Sequence, residues 1–252
     1  MDLLSTSKKW ILAVTLALWA TTAQAQTHVQ SVTETTDQFS GDATVTLTLS
    51  ATGVGNTGFL VVLSNQNRSV SAVNSCGGTW VDLHRSGTTT FVAIWGVVFT
   101  SSVTTCSVVL TGNSDGGLPD SVTFIEFSGG ASTLTETGTS TGFENTTTTT
   151  THTATDVTPS AASSIFVCGQ VYAGSTGGLT ADAAFTQAYA GTTGSHRWVG
   201  YRIQSGSTTA QNCANTTVTS RASRGALAAV DAVAAGGGCT GGMMLLGAGK
   251  CE

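Results

Sequence analysis

The sequence predicts an all-β protein: a jelly-roll-type antiparallel β-sandwich made of two similar halves packed face to face, after an N-terminal signal peptide. Strand and turn formers dominate, since the chain has 31 glycines but only 2 prolines and is rich in threonine and valine. Residues 43–50 alternate between threonine and apolar side chains, which is the period of a half-buried strand. The aromatic-rich run at 91–100 is echoed at 196–204. Neighbouring runs recur at nearly the same offset of about 106 residues, which is typical of an internal repeat.

The first 25 residues have the features of a signal peptide. Lys8 and Lys9 precede an apolar run at 10–20, and Ala23 and Ala25 supply the small residues of a cleavage site. The run is too short to span a bilayer comfortably. We therefore expect a secreted protein, extracellular or on the cell surface with the periplasm as an alternative, whose mature chain has no transmembrane segment.

The mature chain is predicted to be one sandwich domain at 26–235 followed by a glycine-rich tail at 236–252. The two halves are 26–137 and 138–235, each a half-sandwich with the same succession of strand-like runs. The threonine-rich stretch at 138–157 is predicted to be an exposed edge strand rather than a linker, because threonine favours strands and the stretch lacks proline.

The repeat decides two further interpretations. Residues 226–235 are rich in alanine and suit a helix, but they recur in the place of 122–127 and are therefore predicted to form a strand. Trp95 and Tyr201 are predicted to occupy corresponding positions in the two halves.

Charge excludes one class of partner. Charged residues make up 9% of the chain, and the formal net charge is -5. The scattered arginines form no basic run, so the phosphate neutralisation that nucleic-acid binding needs is missing. We expect no nucleic-acid partner.

All six cysteines follow the predicted signal peptide. An even number in an exported protein predicts disulfides, and without a Cys-x-x-Cys pair a zinc or redox site is not indicated. Free buried thiols are the alternative for the first four cysteines. The preferred pairings, each within one structural unit, are Cys76–Cys106, Cys168–Cys213 and Cys239–Cys251.

The order of motifs resembles a broad group of bacterial and phage-associated secreted β-sandwich domains with jelly-roll or concanavalin-like architecture. The motifs are the runs at 59–63 (FLVVL), 76–80 (CGGTW), 91–95 (FVAIW), 124–127 (FIEF) and 198–202 (WVGYR), with the alanine-rich strand at the end. The resemblance covers most of the mature chain, although the cysteines and the tail are not part of the pattern. It implies a fold, and it implies adhesive, carbohydrate-binding or surface- and virion-structural roles.

Four aromatic residues are candidates for a glycan-stacking platform, because aromatic rings pack well on the apolar faces of sugars. Such residues also build cores. The run at 91–99 is apolar on both faces, so either the fold or another subunit must cover the second face. The four candidates are Trp80, Trp95, Trp198 and Tyr201.

Glu126 and Asp231 occupy equivalent places in the repeat and are the candidate carboxylate pair of a glycosidase. Their apolar neighbours equally fit carboxylates that face solvent or bond a neighbouring strand. His84 and His196 each lie within two residues of a serine, but no Gly-x-Ser-x-Gly elbow supports a nucleophile.

The loop at 112–120 carries hard oxygen donors, which calcium prefers, at Asn113, Asp115 and Asp120. An ordinary Asn/Asp/Gly turn explains the same residues. Calcium is therefore the one candidate cofactor.

The predicted function is that of a secreted, non-catalytic binding or surface-structural module, with a glycan as the preferred ligand. One alternative is a polysaccharide-active glycoside hydrolase that uses Glu126 and Asp231. Another is a self-assembling coat, fibre or virion protein, which would make the chain a homo-oligomer.

Overall fold

A computed structural model describes residues 26–36, 43–64, 69–74, 76–86, 91–112, 120–129, 134, 141–173, 178–191 and 197–231. These residues form strands and connections without any helix, which confirms the predicted all-β class. In the described ranges nothing helical is therefore long and apolar enough to cross a membrane. The strands are β1 (Thr27–Thr36), β2 (Ala43–Thr48), β3 (Thr57–Ser64), β4 (Ser69–Asn74), β5 (Val81–Ser86), β6 (Phe91–Val98), β7 (Thr105–Thr111), β8 (Asp120–Ser128), β9 (Thr141–Val157), β10 (Ser164–Tyr172), β11 (Leu179–Thr180), β12 (Thr186–Ala190), β13 (Arg197–Gln204) and β14 (Gln211–Asp231).

The first half, β1 to β8, is a two-layer sandwich in its own right. One antiparallel sheet has the order β1-β8-β3-β6-β5, and a smaller one has the order β2-β7-β4. A sheet of order 1-8-3-6 facing one of order 2-7-4 is the result of jelly-roll winding. Apolar side chains between the two layers, Val45, Leu47, Leu60 and Phe124 among them, form the first outer core.

The second half, β9 to β14, repeats this order. Its sheet β14-β10-β13-β12 corresponds to β8-β3-β6-β5, while β9 and β14 each pass through both layers. Thr141 Oγ1 donates a hydrogen bond to the carbonyl of Thr155 at 2.8 Å. These two residues are 14 positions apart, and a straight strand of that length would span roughly 45 Å. Because the two residues are in contact, β9 bends back over the core. The threonine-rich and alanine-rich stretches are therefore strands, as predicted, as far as residue 231.

The larger sheets of the two halves pack face to face and enclose an inner core that includes Phe59, Ile94, Val167 and Ala228. The prediction of two half-sandwiches is corrected here, because each half is a complete sandwich with its own outer core. β6 lies between two cores, which explains its apolar character on both faces. Within the fold, its odd-numbered side chains enter the first outer core and its even-numbered ones the inner core.

The predicted correspondence of Trp95 with Tyr201 is wrong by one residue. Trp95 pairs with Leu60 and packs on the first outer core, whereas Tyr201 pairs with Val167 and packs on the inner core. Neighbouring residues of a strand face opposite sides. The residue equivalent to Trp95 is therefore Arg202. Its partner Phe166 belongs to the outer core of the second half, the second outer core, together with Trp198 and Leu227.

Two of the three predicted disulfides are present. Cys76–Cys106 joins the β4–β5 connection to β7, and Cys168–Cys213 joins β10 to β14. No free cysteine occurs among the described residues. Cys239, Cys251 and the signal peptide and tail predictions lie outside the described residues.

Asp182 fastens the corresponding connection of the second half, between β11 and β12. Its two carboxylate oxygens accept hydrogen bonds from the backbone amides of Ala184, at 2.8 Å, and Ala214, at 2.9 Å. Ala214 directly follows Cys213 on β14. The first half thus uses a disulfide, and the second half a carboxylate, to fix equivalent connections.

Candidate functional site

A groove with a volume of about 460 Å³ opens where the two halves meet, and we call it the seam groove. This volume is within the range of small-ligand sites. Three separate segments supply the lining, so the groove requires both halves. Its lining residues are His28 from β1, Ala184 from the turn before β12, Thr186 from β12, and Tyr201, Arg202 and Ile203 from β13.

Two aromatic rings build one wall of the seam groove. The His28 and Tyr201 rings stack with centroids 4.9 Å apart and an interplanar angle of 9°, and Phe127 meets Tyr201 edge-on at 5.1 Å. Thr186 hydrogen-bonds the Tyr201 hydroxyl. The exposed His28 ring is fixed further by a 2.7 Å hydrogen bond between Nε2 and Ser31 Oγ. The outward face of this ring is therefore held in a fixed orientation.

Partial burial changes the protonation of both rings. Desolvation lowers the pKa of His28, against a smaller opposing effect of a backbone hydrogen bond involving Gln30. Desolvation also raises the pKa of Tyr201, against the hydrogen bond to Thr186. Both rings are consequently neutral at neutral pH.

The equivalent place in the first half is covered. Ile203 of the groove corresponds to Gly96, since Ile203 pairs with Ile165 and Gly96 with Phe59, and both partners belong to the inner core. The side chain of Leu134 packs directly against Gly96. The two halves therefore differ at this position, which is covered by Leu134 in the first half and open to the groove in the second.

The four predicted aromatic residues do not form one platform. Trp198 is fully buried in the second outer core, where its ring lies over Gly200 and contacts Phe185 edge-on. Trp80 and Trp95 are half-buried against the first outer core. Of the four, only Tyr201 lines the seam groove.

Glu126 and Asp231 are equivalent, as predicted, but each binds its own half. Buried Glu126 accepts hydrogen bonds from the Gly53 amide at 2.8 Å and from the Asn56 and Gln30 side chains at 2.6 Å each. These bonds fix the β2–β3 connection.

Asp231 accepts hydrogen bonds from the hydroxyls of Ser160 and of Ser164, the latter at 3.0 Å, and so fixes the β9–β10 connection. Alternation along β8 and β14 directs Glu126 and Asp231 toward opposite outer cores, because Ile125 and Val230 both face the inner core. The structure does not bring the two carboxylates to a common cleft.

The histidine–serine neighbours form no nucleophile arrangement in the described part of the chain. His84 lies against Gly142, and Ser86 Oγ donates a 3.3 Å hydrogen bond to the carbonyl of Gly225. Both contacts join β5 to the second half. His196 and its serine lie outside the described residues.

The second half contains a buried polar network that no sequence pattern indicated. The fully buried His152 bonds Ser223 Oγ through Nδ1 at 2.6 Å and Thr217 Oγ1 through Nε2 at 3.0 Å. Burial lowers the pKa of His152. Both ring nitrogens are hydrogen-bonded and the residue has no solvent-exposed surface, so this imidazole holds the structure together and does not serve as an accessible base.

Asn215, Gln170 and Tyr172 extend this network. Asn215 Nδ2 donates to Gln170 Oε1 at 2.9 Å and to the Tyr172 hydroxyl at 3.0 Å, and the Tyr172 hydroxyl donates to Gln170 Oε1. Burial raises the pKa of Tyr172, so its hydroxyl stays protonated. A polar cluster of this size was not recognisable from a run of threonines around one histidine.

The predicted calcium ligands Asn113 and Asp115, and the side chain of Asp120, lie outside the described residues. Among the residues that the structure does describe, no group of three histidine, cysteine or acidic side chains is placed to hold a metal ion. No protein-family model, curated protein or solved structure matches this chain.

Proposed function

We propose that this protein is an exported, non-catalytic binding module that holds a glycan in the seam groove. The observation that supports this most directly is the combination of side chains in one pre-formed groove. The fixed ring of His28 and the side chain of Ile203 offer apolar surface, while Thr186 offers a hydroxyl group. Sugars need both kinds of contact, because each ring has apolar C–H faces and a rim of hydroxyls.

Export is supported by the cysteines and the N-terminal segment. Both disulfides tie strands or connections inside a folded half, and disulfides persist in oxidising compartments. The signal-peptide features of residues 1–25 point the same way. We place the mature protein outside the cytoplasm, in the extracellular space or at a bacterial or phage surface.

A surface-structural role is the second candidate, and one observation favours it. The outer strands β2, β4 and β7 contain no charged residue. Thr44, Thr46 and Thr48 line the exposed side of β2. β2 and β4 are the edge strands of their sheet, and charges on edge strands normally prevent pairing with a second copy, so uncharged edges favour assembly of copies. Light scattering of the purified mature protein at increasing concentration tests this candidate, which predicts growing particle mass.

A glycan array tests the binding function. The mature protein is applied with and without added calcium, next to His28→Ala and, as a matched control, Val54→Ala, since Val54 is 67% exposed and not a groove residue. We expect His28→Ala to lose the array signal at unchanged thermal stability, and Val54→Ala to keep it. Retention of the full signal by His28→Ala would place the ligand elsewhere, and the absence of signal from the unaltered protein would contradict the function.

A further inference from the structure

We propose that Gln26 becomes the N-terminal residue of the exported protein and cyclises there to pyroglutamate. This inference rests on the export that the proposed function includes, and it adds a modification site. The sequence supplies the position, because Ala23 and Ala25 place the predicted cleavage directly before Gln26. Cleavage at this point leaves a glutamine at the start of the chain, where its side-chain amide can react with its own α-amine.

The side chain of Gln26 is buried and lacks hydrogen-bond partners. Only 7% of the residue is exposed. Its Oε1 and Nε2 atoms are both buried, and neither has a hydrogen-bond partner among the described residues. Buried amides are normally hydrogen-bonded, because burial removes the water that would otherwise bond them. Other glutamines of the protein follow this rule, since hydrogen bonds hold the side chains of Gln30, Gln170, Gln204 and Gln211.

Gln26 lies at an ordered end of the first half. It directly precedes β1, whose first residue, Thr27, pairs with Ser128 on β8. The hydroxyls of Thr27 and Ser128 are also hydrogen-bonded at 2.5 Å. His28 follows and stacks on Tyr201 at the seam groove. The predicted mature chain therefore starts with a buried residue, and an open N-terminus would give that residue a charged ammonium group, whose burial is costly.

Cyclisation removes the charge and the unpaired amide in one step. The neutral α-amine attacks the side-chain carbonyl carbon Cδ, and a bond forms between the α-nitrogen and Cδ. The bond between Cδ and Nε2 breaks, and Nε2 leaves as ammonia with a proton that the amine gives up. The α-amine titrates at about pH 8, so part of it is in the reactive neutral form at neutral pH. The uncharged lactam keeps one N–H and one carbonyl, whereas the open form has an ammonium group and a carboxamide.

Mass spectrometry tests this site on the full chain, expressed with its own signal peptide in an exporting bacterial host and purified from outside the cytoplasm. We expect an N-terminal peptide that begins at residue 26 and is lighter by one ammonia than its sequence predicts. Edman degradation of the product should be blocked. Pyroglutamyl peptidase, applied to the unfolded protein, should remove the block so that Thr27 is the first residue read.

Gln26→Ala is the matched control, because alanine is also small enough to follow the cleavage site but has no amide with which to cyclise. Its product should be open to Edman degradation without the peptidase, and thermal denaturation verifies that it is folded.

The outcomes separate this inference from the proposed function. A product that begins at residue 26 with a free amine overturns the inference while export stands. A product that begins at another residue outside the signal peptide does the same. A product that retains residues 1–25, or that stays in the cytoplasm, contradicts both the inference and export. Glycan binding is decided separately, on the array.

Discussion

His152 takes, in the second half, the position that Val45 takes in the first. The correspondence follows from strand pairing. Val45 lies opposite Val108 on β7, and His152 lies opposite Asn215 on β14. The buried apolar pair Val45 and Val108 of the first half is thus replaced in the second by buried His152 and Asn215. Each of these two polar residues hydrogen-bonds other side chains of the polar network. The two outer cores share a strand order but are stabilised differently, one by apolar packing and the other in part by a polar network.

We expect His152→Ala to lower the free energy of unfolding by about 1–3 kcal/mol, because it leaves the buried hydroxyls of Ser223 and Thr217 without the ring nitrogens they bond. Urea denaturation measures the effect. His152→Gln is the control, since its amide can restore one of the two bonds, and it should cost less. Equal stability of the alanine and glutamine variants would mean that these hydrogen bonds contribute little.

The lowered pKa of His152 makes stability depend on pH. An unfolded histidine titrates near pH 6.5, so the unfolded chain binds more protons than the folded one once the pH falls below that value. The contribution is complete above about pH 6.5 and is lost as the pH falls through the lower folded-state pKa. His28 shifts in the same direction. The urea concentration at the denaturation midpoint should therefore decrease as the pH is lowered from 7.5 to 5. The decrease should be smaller in His152→Gln. A constant midpoint in the parent protein would refute this.

Glu126→Gln should destabilise the first half by about 1.5–3 kcal/mol, because three donors lose a charged acceptor. Hydrogen exchange should accelerate in the β2–β3 connection around Gly53. The exposed Asp156 offers a comparison, since Asp156→Asn should change stability by less than about 0.5 kcal/mol. A Glu126→Gln protein as stable as its parent would show that these three hydrogen bonds contribute little to stability.

Removal of the two tethers should act on one half at a time. The double change Cys76→Ala and Cys106→Ala should cost about 2–4 kcal/mol and speed hydrogen exchange near Gly77, with the Ala184 and Ala214 amides unaffected. Asp182→Ala should release those two amides and leave Gly77 protected. Exchange that spreads across both halves in either variant would contradict independent tethering.

Strand order was predictable from sequence because alternation and an internal repeat remain recognisable even when individual residues are aligned one position wrongly. Alternation at Val45 and Leu47 marks a strand, and the recurrence of cysteines at 106 and 213 marks a repeat. Register is harder, since a shift by one residue reverses every side chain. Trp95 and Tyr201 are both large aromatic residues, and their separation in the sequence matches the repeat offset of about 106 residues. They nevertheless lie on opposite faces of equivalent strands.

The seam groove was not predictable in the same way. Its key contact joins His28 to Tyr201 across most of the chain, and no local pattern marks such a pair. Nothing in the sequence around His28 marks it as a binding residue. Tyr201 was selected for its aromatic ring, but together with Trp198, which proved to be core.

The order of the strands along the chain has a consequence for how the protein is made. All strands of the first half come from residues 27–128 and all strands of the second from residues 141–231, so the N-terminal sandwich can close while the remainder is still emerging. The seam groove joins residue 28 to residues 184–203 and arises only when both sandwiches have docked. If the seam groove binds a ligand as proposed, binding requires the fully assembled chain, and a truncated product in which only the first sandwich folds would not bind.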